Sequence, residues 1–208
     1  LQASATPRYS LVVEIQVEQA LPQILVYAVS NGITVEHTTS EPGVHQFTLY
    51  GAAEDVLMRL RDVLALDASL QSSGVSGQLS EETLAQVSQD PPLPGEQIAL
   101  LLGVSLPTQA ATDLTDAITR AQRRARLALW KGGAARNLHG ECVDALTVLQ
   151  SARGLWLVRP ASGGGRLLDV ASATAALVDA ELQTWLRRTA DSLPRPSAPP
   201  AADRMPTR

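Results

Sequence analysis

The stretch from Tyr9 to Gly32, YSLVVEIQVEQALPQILVYAVSNG, governs how the rest of the chain is read. Its first nine residues alternate, with Tyr9, Leu11, Val13, Ile15 and Val17 on one side and Ser10, Val12, Glu14 and Gln16 on the other. A period of two in a run rich in β-branched residues describes a strand with one buried face. After Glu18 the spacing changes: Leu21, Ile24, Leu25, Ala28 and Val29 recur at intervals of three and four, the stripe of a helix. Pro22 is tolerated if it falls in the first turn, which places the start of that helix near residues 18–21. Asn31-Gly32 then supplies its stop, because Gly takes the left-handed conformation without steric cost.

Working outward, residues 33–39 and 44–50 read as two short strands around Ser40-Glu41-Pro42-Gly43, where Pro-Gly suits the centre of a type II turn. A second helix follows Gly51, with Val56, Leu57, Leu60, Val63 and Leu64 on one stripe, and a weaker Ser-rich strand is expected at 69–75. The expected fold class is therefore α+β. The order βαββα(β) over residues 8–76 places two helices on one sheet face and resembles the ferredoxin-like sandwich.

Residues 77–95 read as a linker with a short helix beginning near Ser80, closed by the stiff run Asp90-Pro91-Pro92-Leu93-Pro94-Gly95. A mainly helical domain is expected at 96–190, with helices over 96–102, 107–130, 138–153 and 171–190 and one β-hairpin at 155–170. The tail 191–208 is Pro-rich and expected to be disordered. All three Tyr precede residue 51 and all three Trp follow residue 129, which agrees with two packing units. The sequence shows no internal repeat.

Composition narrows the function classes. Hydrophobic residues make up 45% and charged residues 18% of the chain, which is ordinary for a globular protein and argues against wholesale disorder. A net charge of −4 provides no global pull toward nucleic acid or anionic lipid, so such binding would need a local basic patch. The basic residues are Arg apart from Lys131, which together with abundant Ala, Leu and Val points to a GC-rich, bacterial coding genome. Cys142 stands alone, so neither an intrachain disulfide nor a thiolate cage can form. No apolar run reaches the ~20 residues of a membrane-spanning helix. The chain begins with Leu1 and not Met, which leaves the compartment undecided, leaning to the cytoplasm.

Motifs that carry chemistry are incomplete. His139-Gly140-Glu141 has the His-x-Glu half of a zinc deaminase and lacks the Pro-Cys-x-x-Cys half, while His139 and Cys142 supply two ligands where zinc takes three or four. The glycine-rich run 162–165 before Arg166 lacks the Lys-Ser/Thr ending that holds nucleotide phosphates. His37 and His45 lie on adjoining strands and can approach one another, forming a polar cluster with Glu36 or Glu41. Residues 97–105, QIALLLGVS, resemble the first helix and turn of a bacterial helix-turn-helix. Arg120, Arg123, Arg124 and Arg126 on the following helix, with Arg159 and Arg166 on a wing-like hairpin, are the candidate nucleic-acid contacts. Pro107, Asp113 and Asp116 depart from that pattern.

These readings point to a non-enzymatic interaction or regulatory protein, acting through a protein partner or self-association as a homo-oligomer. No cofactor is expected. A DNA-binding transcription regulator of helix-turn-helix or winged-helix type is the alternative, and an enzyme using His37, His45 or His139 comes after it.

Overall fold

The computed structural model describes residues 8–18, 20–30, 33–87, 93–132, 141–161 and 166–191. Strand β1 (Tyr9–Val17) forms where the alternation places it, with Leu11, Val13 and Ile15 buried. The helix expected next does not form. Gln23–Ser30 is instead strand β2, antiparallel to β1, with Tyr27 opposite Leu11 and Leu25 opposite Val13. The reason lies in residues 24–29, which are apolar throughout and rich in β-branched and aromatic side chains. Such a run satisfies a strand as readily as a helical stripe. Pro22 stands just before the strand, where its missing N–H costs no ladder bond.

Strands β3 (Ile33–Glu41) and β4 (Val44–Tyr50) complete a four-stranded meander. Gly43, at φ 84°, occupies the turn position that requires positive φ. Helix α1 (Ala53–Leu64) buries Val56, Leu57, Leu60 and Leu64 and ends at Ala65, whose left-handed backbone lets its amide donate to the Arg61 carbonyl. The fifth strand, β5 (Ser76–Ser80), lies just beyond the expected 69–75. Helices α2 (Glu81–Val87), α3 (Gly95–Gly103) and α4 (Thr108–Thr119) follow.

The helix expected over 107–130 stops at Thr119, and Arg123–Lys131 is strand β6. Ala125, Leu127 and Leu129 alternate as buried residues there, a period of two that a continued helix would scatter around its circumference. The helix expected over 138–153 is likewise replaced by strand β7 (Glu141–Ser151). The later hairpin forms as expected, from β8 (Gly154–Pro160) and β9 (Leu167–Ala173), and α5 (Ala175–Asp191) follows it.

The strands make one open, antiparallel nine-stranded sheet in the order β4-β3-β2-β1-β6-β7-β8-β9-β5. The fold is mixed α+β, and its opening ββββα order differs from the βαββα of a ferredoxin-like sandwich. The arrangement ββββα occurs twice, and the two meanders join along β1 and β6, from Tyr9 opposite Lys131 to Val17 opposite Arg123. Strands that the sequence reading assigned to different units are thus neighbours.

One core lies where α1 and α5 cover one face of the central strands and draws on both meanders: Leu11, Val13, Tyr27, Leu60, Leu127, Leu146, Leu182 and Trp185 all contribute. The second core lies on the opposite face, where α2, α3 and α4 pack over β7, β8, β9 and β5 around Trp156, Leu102 and Leu114. Gly77 admits the close approach there: a Cβ at that position would fall 2.6 Å from Leu106 Cδ2 and 3.0 Å from the Ser105 carbonyl oxygen.

Candidate docking surface

Alternation along the first meander assigns every second residue to the face opposite α1 and α5. The pairing register runs Leu49, Val35, Ala28, Ser10 and Trp130 in one row across β4, β3, β2, β1 and β6. The next row runs Phe47, His37, Val26, Val12 and Ala128. None of the described helices contributes to a core on this side of β1–β4. At the middle of the face Ser10, Ala28 and Val35 are buried, whereas at its edge Phe47 is 47% and Leu49 67% exposed. Ile24 is exposed on the same side. Large apolar side chains grouped on one face suit a partner more than water.

The β3–β4 hairpin brings His37 and His45 together, as their spacing predicts. His37 Nε2 lies 2.9 Å from His45 Nδ1, and the His37 ring stacks on Phe47 with centroids 4.8 Å apart and planes 11° from parallel. Glu36 does not join them, because it points to the other face. It is buried there, accepting from the Tyr50 hydroxyl at 2.8 Å and pairing with Arg59 Nε of α1 at 3.3 Å. Burial and the Glu36 hydrogen bond push the Tyr50 hydroxyl up to about 12. Burial, followed by the charge of Glu36, raises Tyr27 as well.

Of the six arginines proposed as nucleic-acid contacts, Arg124, Arg126 and Arg159 line one cleft and Arg120, Arg123 and Arg166 lie elsewhere; the helix expected to carry the first four ends at Thr119, and Arg123, Arg124 and Arg126 stand on a strand. Arg120 lies at the end of α4, 3.8 Å from Asp116. Arg123 donates to the Val63 carbonyl at 2.9 Å, fastening β6 to the last turn of α1. Arg124 donates to the Ile118 carbonyl at 3.0 Å, serving one of the free carbonyls at the end of α4. Arg159 pairs with Glu181 at 3.0 Å and Arg166 lies 3.7 Å from Glu82. Arg126 is exposed on β6, opposite Glu14. Arg124 and Arg126 share the face opposite α1 and α5 with Val12 and Ala128, and together with Arg159 they line a cleft of about 490 Å³ that Glu14, Gln16 and Leu84 of α2 also border. An apolar face thus continues into a small cleft with basic edges.

Among the described residues no three His, Cys, Asp or Glu side chains are grouped to hold a metal ion, and no helix is long and apolar enough to cross a membrane. His139, the loop 162–165 and the tail beyond residue 191 lie outside the described residues. The residues of this face that sequence reasoning missed are Ile24, Ala28, Val35, Leu49 and Trp130. For Ile24, Ala28 and Trp130 the alternation becomes readable only once residues 23–30 and 123–131 are strands, whereas Val35 and Leu49 stand on strands expected from the start.

No protein-family model matches the sequence, and no curated protein does. Among solved structures, the fold is similar to a chain in the complex of the Mycobacterium tuberculosis type VII secretion system chaperone EspG5 with the PE25–PPE41 dimer. The TM-score is 0.60 at 11% sequence identity, over 90% of this chain and 74% of that one. Similarity at this identity establishes a shared fold.

Proposed function

We propose that this chain is a non-enzymatic, chaperone-like binding protein that holds a partner protein against the face of β1–β4 and β6 opposite α1 and α5. The observation that carries this reading is that, among the described residues, no helix builds a core on the face of β1–β4 opposite α1 and α5, where Phe47, Leu49 and Ile24 are exposed at the edge. Likeness in fold to a chain of a secretion-chaperone complex supports the reading, since the named chaperone there holds a protein dimer. The partner that fits is a folded protein presenting an apolar tip to Phe47 and Leu49, flanked by an acidic side chain able to reach Arg124 and Arg126. Association of this kind draws its affinity from the buried apolar centre and its orientation from the charged rim.

Affinity capture from the source organism tests this, using wild type and the Phe47→Asp/Leu49→Asp double variant. The expected result is one protein, identified by mass spectrometry, that co-elutes with wild type as a stoichiometric complex and is lost with the variant. A complex retained by the variant, or none with wild type, counts against the reading.

A further inference from the structure

We propose that β4 is a self-association edge: two copies of this chain pair their β4 strands antiparallel about a twofold axis and join their sheets into one. The inference goes beyond partner capture and does not depend on it.

In the sheet order β4 and β5 are the two ends, so among the described residues each has a strand on one side only. The N–H and C=O groups along the outer side of such a strand meet either water or another backbone. The two ends are built differently. β5 has five residues and runs directly into α2. β4 has seven, VHQFTLY, and its ladder with β3 is regular from His45 to Tyr50. It carries no Asp, Glu, Lys, Arg or Pro, the residues that ordinarily keep an edge strand from pairing. Val44, Phe47 and Leu49 are 45%, 47% and 67% exposed along it.

An extended backbone is the occupant that such an edge accepts, and the side chains select a second copy. Twofold pairing places every residue opposite itself or another residue of the same strand, so a strand of one charge sign would meet its own sign. β4 is free of that penalty. With Phe47 opposite its own copy, His45 faces Leu49, Gln46 faces Thr48 and Val44 faces Tyr50, and the whole strand is used. Alternation keeps His45, Phe47 and Leu49 of both copies together on the face opposite α1 and α5, where Phe47 and Leu49 leave water. Both free β4 edges are consumed in the pair, so association stops at two. One strand pair is a small interface, which makes the dimer weak and reversible.

The test is sedimentation velocity of the full chain, without partner, from about 1 to about 200 µM, the span in which a weak dimer forms. The expected result is a concentration-dependent shift from 22.1 kDa to twice that mass. Gln46→Lys/Thr48→Lys places cations along the edge, and because both side chains are exposed the variant should melt as wild type does. It should raise the concentration of half-dimerisation at least ~10-fold, and added NaCl should reduce that effect by screening. Ser76→Lys, a cation on the opposite edge strand, should associate as wild type does. The lysine substitutions at 46 and 48 leave Phe47 and Leu49 in place, so self-association and partner capture are tested separately. A monomer mass across the whole range, species larger than a dimer, unchanged association in Gln46→Lys/Thr48→Lys, or dissociation by Ser76→Lys would each overturn the proposal.

Discussion

Glu36 shows how one residue can join a helix to a sheet. Its carboxylate is 3% exposed and accepts from Tyr50 and Arg59, so α1 is tied to β3 and β4 by a charge that water does not reach. Glu36→Gln keeps the shape and removes the charge. The Arg59 side chain, 38% exposed, recovers some hydration, which holds the expected loss to about 1–3 kcal/mol in chemical denaturation. The same cluster sets a pH dependence. An acid whose folded-state pKa is raised keeps its proton after the unfolded chain has released it, so its stabilisation is complete at lower pH and disappears at higher pH. With Tyr50 raised from its ordinary value near 10 to about 12, stability should fall as pH climbs from about 10 to about 12. Denaturation midpoints across that window should fall less steeply in Tyr50→Phe.

At the scale of elements, the second core depends on the close approach of the α3–α4 turn to β5. Gly77→Ala would place a methyl group against the Leu106 side chain and the Ser105 carbonyl. The side chain can turn aside and the backbone cannot. A loss of about 1–3 kcal/mol is expected, read as a lowered melting midpoint with unchanged far-ultraviolet circular dichroism. Elements also show what the sequence makes legible. β1, β3, β4 and α1 carry one clean period each and were readable. β2 was not, because Leu21, Ile24, Leu25, Ala28 and Val29 satisfy a helical stripe while the unbroken apolar run 24–29 satisfies a strand, and only pairing with β1 decides between them. β6 was obscured differently. Its alternation was joined in the reading to the helical spacing of α4, and the break at residues 120–122 contains neither Gly nor Pro. Joining the two periods places Arg120, Arg123, Arg124 and Arg126 on one helix, whereas the last three stand on β6; the meeting of His37 and His45 needs only correct strands and a short turn.

At the scale of the molecule, the join between meanders couples the two halves. Nine residue pairs run along β1 and β6, Arg123 reaches the carbonyl of Val63, and Arg61 of α1 donates to Asp179 of α5 at 2.9 Å. Fragments 8–87 and 93–191, expressed separately, would each expose one of these central strands and half of the first core. Neither should show a cooperative melt alone, and mixing should restore one transition; a cooperative melt from either fragment would disprove the coupling. The twofold repetition of ββββα leaves no repeat in the sequence, because topology repeats where residues do not. The register that joins β6 to β7 also pairs Trp130 with Cys142, an exposed cysteine at the margin of the face opposite α1 and α5. Trp156 and Trp185 are buried, so Trp130 is the indole closest to water. The chain thus carries a natural optical reporter: a dye attached at its single thiol sits beside an indole, and the pair signals occupancy of that face without any engineered substitution.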